Sequence, residues 1–183
     1  MKKPNILKQI FCCIILLYVM AAWVGCDLKY TGDGHLIDNG FRSADRFILN
    51  LGKINLNQKK SYKFKLKNLP TETFVIGFSF VFENPTEVYH QQPELRPNNA
   101  VVSFKLMDDD KVITTLNNKK IHSLTWSQPA KDKSGAFVYS RNHSYFLPDN
   151  SKEYILILDV NMQNTKKEQM STVELVLTGG GWK

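Results

Sequence analysis

The chain has 183 residues, with 24 lysines and arginines against 17 aspartates and glutamates, a formal net charge of +7. The positive charge is spread along the chain rather than clustered, which excludes a nucleic-acid partner. All three cysteines lie at or before position 26, so the rest of the chain has none for a disulfide or a thiolate metal site. The length suits a single domain stabilised by its own core.

The first 25 residues have the layout of an export signal. Lys2, Lys3 and Lys8 form a positive front, and residues 10–24 are uncharged and almost wholly apolar. This run is shorter than the ~20 apolar residues that a membrane-spanning helix needs. We predict a signal peptide over residues 1–25, cleaved between Gly25 and Cys26. Cleavage would remove three lysines and no acidic residue, which lowers the net charge to +4.

The residues Ala22-Trp23-Val24-Gly25-Cys26 resemble the lipobox of bacterial lipoprotein precursors. The resemblance covers residues 1–26 and departs from the usual pattern at Trp23, where an aliphatic residue is normal. It implies acylation of Cys26 and attachment to a bacterial membrane on its periplasmic side. Cys12 and Cys13 lie within the apolar run and lack a small residue immediately before the pair. Asp27 resembles the enterobacterial signal for retention in the inner membrane.

Residues 26–42 are polar and show no apolar periodicity. Together with Gly32 and Gly34, this predicts a lipidated N-terminus and tether that precedes a single domain over residues 43–183. Asp33, His35 and Asp38 carry side chains that bind metals. No scaffold is visible around them, so we predict no metal site and no cofactor.

Alternation with a period of two predicts strands after the tether. Residues 62–67 place Lys63, Lys65 and Lys67 on one face, which indicates the solvated side of a strand, where lysines also discourage edge-to-edge pairing. The alternative role of these lysines is attraction to anionic headgroups beneath the tether. Residues 74–82 carry a row of large apolar side chains and predict the central strand of the core. Residues 154–160 are nearly all apolar, as expected for a strand that is covered on both faces or crosses the middle of a sandwich. Further predicted strands span residues 47–51, 102–106, 112–116, 121–126, 137–141 and 173–177.

Eight or nine short strands, separated by turn residues and without a convincing helical stripe, predict an all-β fold. The class is an antiparallel β-sandwich, either immunoglobulin-like or jelly-roll. The pattern leaves both topologies open. His122 shares the predicted strand 121–126 with Leu124 and Trp126, which favours a histidine in the core or at an edge.

The predicted partner-binding residues are Tyr89, His90, Arg96 and Trp182. The first three lie in the longest connector, residues 83–99, which also carries three prolines. Long loops on a rigid sandwich frequently carry function. Trp182 follows a run of glycines and serves either as a plug or as an exposed anchor. A second connector, residues 127–135, contributes to the same surface if both lie at one end of the sandwich.

No residue pattern indicates catalysis. The four histidines lack ligand spacing, no Gly-x-Ser-x-Gly is present, and residues 108–110 lack the spaced ligands of a calcium loop. We predict a non-enzymatic protein that binds a protein partner in the cell envelope, in an accessory, assembly or immunity-type role.

Two other functions remain as alternatives. A carbohydrate- or small-ligand-binding module requires at least two exposed, coplanar aromatic side chains. The candidates for this platform are Tyr89, Trp126, Tyr139, Tyr145 and Trp182. A hydrolase is less favoured and requires a cleft with converging carboxylates or a Ser–His pair.

Overall fold

The computed structural model of the chain describes residues 29–40, 46–81, 100–127, 135–162 and 172–180. Within these ranges the chain forms eleven strands and one short 3₁₀ helix, Ile121–Ser123. The same ranges contain no helix with the length and apolarity needed to cross a bilayer. The strands are β1 (His35–Asp38), β2 (Phe47–Lys53), β3 (Lys60–Lys67), β4 (Phe74–Val81), β5 (Val101–Asp108), β6 (Lys111–Lys120), β7 (Thr125–Ser127), β8 (Gly135–Tyr139), β9 (Tyr145–Phe146), β10 (Glu153–Met162) and β11 (Thr172–Gly179).

The strands form two antiparallel sheets, which confirms the predicted all-β sandwich. The first sheet has the order β1-β2-β11-β4-β8-β7, with β9 also paired to β4. The second sheet has the order β3-β10-β5-β6. Every other residue of an internal strand points into the space between the sheets, where a single large cluster of apolar side chains forms the core.

The strand predicted to be central is internal to the first sheet, between β11 and β8. Four of its side chains, Phe74, Ile76, Phe78 and Phe80, are at most 1% exposed. Their alternation with Val75, Gly77 and Ser79 sends the large side chains to one face. This row of rings therefore packs against the second sheet, as its periodicity predicts.

The two strands β3 and β10 are neighbours at one side of the second sheet. β3 is its edge strand, and Lys63, Lys65 and Lys67 are exposed on the outer face, as predicted. β10 is internal, and its inward side chains are buried. Its outward residues Ile155 and Ile157 are only half-buried. Of the two interpretations of its apolar sequence, crossing the middle of the sandwich is therefore the correct one.

The predicted single strand over residues 121–126 is wrong. Leu124 N donates a hydrogen bond to Ile121 O at 3.0 Å, which closes a 3₁₀ turn, and only Thr125–Ser127 extends as β7. His122 lies in this turn and is half-buried, so it does not share a strand face with Leu124. Because this turn begins on a buried residue, it interrupts the strand while the alternation of apolar residues continues. The periodicity of the sequence therefore does not reveal it.

The tether predicted over residues 26–42 is wrong for residues 29–40. Thr31 N donates to Lys67 O at 3.2 Å and Asp33 N donates to Lys65 O at 2.7 Å, so the segment covers the free edge of β3. The chain then reverses and pairs with β2 as β1, with His35 opposite Asn50. These contacts supply hydrogen-bond partners to backbone groups of β3 in the second sheet and of β2 in the first sheet. The composition of residues 26–42 does not reveal this pairing.

The two ends of the sandwich carry different connections between strands. We call the end at which β3 finishes and β4 begins the N-terminal end, because Asn68 Nδ2 donates to Lys29 O at 3.5 Å there. At the opposite, far end, Val81 is paired with both Gly135 and Thr172, and Val101 is paired with Met162. The connectors 82–99, 128–134 and 163–171 thus leave from strand ends on the same side of the molecule. A surface shared by the first two connectors stays a prediction, because their own residues lie outside the described ranges.

Candidate functional site

A cleft of about 530 Å³ opens at the N-terminal end of the sandwich. Most of its lining comes from three pieces of chain, namely the segment that covers the edge of β3, strand β1 and the turn after β3, and the rest is Arg46, Phe47 and Asn150. Gly34 makes the reversal between the first two pieces with a φ of +87°, a conformation that favours glycine. A β-carbon at Gly34 would also collide with Asn50 O. The cleft therefore depends on a tight crossing of the chain from one sheet edge to the other.

Arg46 lies in the cleft between two carboxylates. Its Nε is 3.6 Å from Asp38 Oδ1, and its Nη1 is 3.7 Å from Glu72 Oε1. Its guanidinium lies over the Phe47 ring, 4.6 Å from the centroid. The three charged side chains are 25–48% exposed, so these ion pairs contribute little to stability. They place three planar polar groups side by side along the cleft.

The formal charges that line the cleft balance. Lys29 and Arg46 are opposed by Asp38 and Glu72, with His35 beside them. Hydrogen-bonding groups without charge and a patch of apolar surface complete the lining. The uncharged polar side chains are Asn68, Thr71 and Asn150, and the apolar ones are Leu36, Phe47, Leu69 and Pro70.

Tyr30 forms part of the cleft wall and keeps its phenolic proton. Its hydroxyl donates a hydrogen bond to Asp33 O at 2.5 Å. Burial, together with the nearby charge of Asp33, raises the pKa of Tyr30 above its usual range. The phenol is therefore neutral at any physiological pH and acts as a hydrogen-bonding group, not as a base.

The structure tests the predicted aromatic platform only at Tyr139 and Tyr145. Tyr139 is 6% exposed, whereas Tyr145 is 36% exposed, and their rings meet edge to face at 6.1 Å with an interplanar angle of 85°. These two side chains do not form an exposed coplanar pair. The side chain of Trp126, and the whole of Tyr89 and Trp182, lie outside the described residues.

The other predicted site residues also lie outside the described ranges. These are the cleavage and lipidation residues Gly25 and Cys26 and the partner-binding residues His90 and Arg96. Their roles stay predictions.

The residues with metal-binding side chains in the predicted tether have structural partners. Asp33 Oδ2 accepts a hydrogen bond from Lys65 N at 2.7 Å, and Asp38 Oδ1 accepts one from Gly40 N at 2.8 Å. Among the residues that the structure describes, no three His, Cys, Asp or Glu side chains are grouped as metal ligands. The acidic run after β5 forms a tight hairpin turn, with Asp109 at a φ of +49° and Asp108 paired with Lys152.

Sequence reasoning did not single out the central residues of the cleft. Arg46, Glu72 and Asn68 are polar residues in ordinary turn contexts, and nothing in their spacing links them. The only local signal was Asn68-Leu69-Pro70, which indicates a turn but not a site. The cleft exists because the N-terminal segment brings β1 beside that turn.

Comparisons with known proteins do not assign a family. No protein-family model matches the chain, and no curated protein matches it significantly. Among solved structures, it is similar to the crystal structure of Caldicellulosiruptor saccharolyticus CBM27-1 in complex with mannohexaose. The two share 7% sequence identity over 79% of each chain, with a TM-score of 0.41. A similarity at this level carries no argument about function, so fold and cleft define this chain only as an antiparallel β-sandwich with a polar concave site.

Proposed function

We propose that this chain is a non-enzymatic, lipid-anchored protein of the bacterial envelope that binds a neutral, hydroxyl-rich ligand, such as an oligosaccharide, in the cleft. The lipobox-like residues before Cys26 support the location. The observation that carries the ligand class is the balanced charge around Arg46, which lies between Asp38 and Glu72.

The balance of charge disfavours other ligand classes. An anionic ligand beside Arg46 would meet Asp38 and Glu72, and an apolar ligand would strip water from all three charges without replacing it. Hydroxyl groups both donate and accept, so they satisfy carboxylates and a guanidinium at the same time. The half-buried side chains of Leu36 and Pro70 supply apolar surface that suits the carbon-bound faces of a sugar ring. The volume falls within the range of ~300–1,000 Å³ typical of small-ligand sites.

Replacing Glu72 should weaken ligand binding without weakening the fold. We expect Glu72→Ala to raise the dissociation constant for a neutral oligosaccharide about tenfold or more, because a hydrogen bond to a charged group is lost. The measurement is calorimetric titration of the fragment 27–183 against a panel of neutral and charged oligosaccharides. The melting temperature should stay nearly constant, since exposed ion pairs are worth little.

Asp159→Asn is the matched control, because Asp159 is a half-buried carboxylate on the second sheet, paired with Ser61 toward the far end, and is not part of the cleft lining. It should leave the dissociation constant unchanged. Binding of charged sugars alone, or equal affinity of the Glu72 variant and the parent, would contradict the proposed ligand class.

A protein partner at the far end is the second candidate function. It is favoured by the described strand ends, which bring Val81, Gly135 and Thr172 side by side where the long connectors leave. Tyr89, His90 and Arg96 lie in one of those connectors. This surface suits either an accessory or assembly role or an immunity-type role, and a neighbouring gene that encodes a toxin would favour the latter.

Replacing residues 84–98 with a glycine–serine linker should abolish partner capture while the sandwich remains folded. Crosslinking in intact envelopes, followed by mass spectrometry, would reveal the partner with the parent chain and not with the variant. Asp109→Asn, in a turn at the N-terminal end, is the control and should keep the crosslink. A crosslinked partner that survives the linker replacement would exclude this surface.

A further inference from the structure

The outer face of the second sheet has an apolar centre with lysines beside it. Across the strands, Lys65 lies opposite Ile155, which lies opposite Met107, which in turn lies opposite Val112. In the next row, Lys63, Ile157, Lys105 and Thr115 are neighbours in the same way. We call this surface the isoleucine–lysine face.

This face is open in the described structure. Ile155, Ile157 and Met107 are half-buried, and Val112 is 42% exposed. The described strands all belong to the two sheets, so no third layer of strands covers it. Lys63, Lys65, Lys67 and Lys105 are exposed around the apolar centre, against Glu153 and Asp159. An apolar centre with surplus positive charge is the composition of surfaces that lie in the headgroup region of anionic membranes.

The N-terminal segment fixes this face close to the predicted lipid anchor. Thr31 and Asp33 are hydrogen-bonded to β3, and Lys29, where the described chain begins, is three residues from Cys26. Three residues extend at most about 11 Å. Lys29 lies beside the end of β3, because Asn68 Nδ2 donates to Lys29 O and Thr31 N donates to Lys67 O. The end of β3 at Lys67 is therefore held close to the lipid anchor and to the bilayer surface.

We infer that the isoleucine–lysine face docks on the anionic phospholipid surface of the membrane to which the chain is anchored, so that the sandwich lies against the bilayer. The inference rests on the lipid anchor of the proposed function and is independent of the ligand in the cleft. The short free chain supplies the proximity, the lysines supply the charge complementarity, and the isoleucines supply the apolar contact.

The test uses the full lipidated chain in vesicles of phosphatidylcholine, with or without phosphatidylglycerol. A fluorescent probe is attached to Ile157→Cys, and its quenching by acrylamide is measured. Ile48→Cys is the matched control, since Ile48 is a half-buried isoleucine on the outer face of the first sheet. We expect phosphatidylglycerol to reduce quenching severalfold at position 157 and to leave it unchanged at position 48.

Removing the charges should reverse the effect. Substituting Lys63, Lys65 and Lys105 with glutamine should lower the docking equilibrium roughly fivefold for each lysine and restore quenching at position 157. Lys53→Gln is the control, because Lys53 is an exposed lysine in β2 of the first sheet, and it should leave quenching at position 157 unchanged. High salt should act like the triple variant, because exposed charges are screened.

The possible outcomes distinguish failure of the docking proposal from failure of the lipid anchor. A chain that fails to float with neutral vesicles would disprove the anchor and, with it, the basis of the docking. A chain that floats but shows equal quenching at position 157 in both vesicle types would overturn the docking alone. A probe at position 157 that is shielded without vesicles would show that another protein surface, such as a second copy, covers the face.

Discussion

Substituting Cys26 with serine should release the protein from the membrane. Acyl chains stabilise membrane attachment by ~0.8 kcal/mol per buried methylene, and two or more chains give stable anchoring. The parent protein should fractionate wholly with membranes and carry the added mass of the acyl groups in intact mass spectrometry. The Cys26→Ser protein should lack that mass and lose stable attachment.

The rival cysteines provide the control for the anchor. Cys12→Ser and Cys13→Ser change only the apolar run of the predicted signal, so both variants should still yield the lipidated protein. A Cys26→Ser protein with an unchanged mass and unchanged membrane fractionation would disprove the anchor and the proposed location.

Substituting Phe74 with alanine should cost about 3–5 kcal/mol of the free energy of unfolding. Phe74 is fully buried, and its ring stacks on Phe47 at 6.3 Å and on Phe146 at 6.0 Å. The backbone of Gly179 also approaches this ring, since a β-carbon there would lie 2.9 Å from it. A cavity at this point would remove contacts with three strands of the first sheet, β2, β9 and β11. Because a domain is stable by only ~5–15 kcal/mol, the loss is a large fraction of the total.

Denaturant unfolding of the Phe74→Ala variant measures this loss. Phe64→Ala is the matched control, because Phe64 is half-buried on the edge strand β3 and stacks only on Tyr62 among the described aromatic pairs. We expect its cost to be clearly smaller. Equal costs for the two variants would contradict the position of Phe74 at the centre of the core.

Strand positions could be predicted from the sequence where the alternation of apolar residues matches the alternation of buried and exposed side chains in the structure. The rows of alternating side chains in β3 and β4 are examples, because a strand with one face in the core must place its apolar residues at every second position. Two strands were missed for physical reasons. β9 has two residues, too few for any period, and β1 has one half-buried and three exposed residues. β1 is a strand because it pairs with β2, not because of its own pattern.

The candidate cleft could not be predicted from the sequence. Arg46 and Glu72 are brought together because the strands that follow them, β2 and β4, both pair with β11, where Gly179 is opposite Phe47 and Phe74. Their proximity depends on long-range pairing, which residue spacing does not encode. The aromatic platform expected for a sugar was the nearest hypothesis, and Tyr139 was assigned to it although its ring is buried.

The sequence by itself determined the fold class, the row of rings in β4 and the solvated lysine face of β3, because each depends on a local period and on the hydrophobic effect. The tertiary structure alone decided that residues 29–40 belong to the sandwich. It also decided that the cleft forms beside them and that the long connectors leave from the opposite end. The reason is that backbone hydrogen bonds between distant segments, such as those from Thr31 and Asp33 to β3, carry no signature in the side chains of either segment.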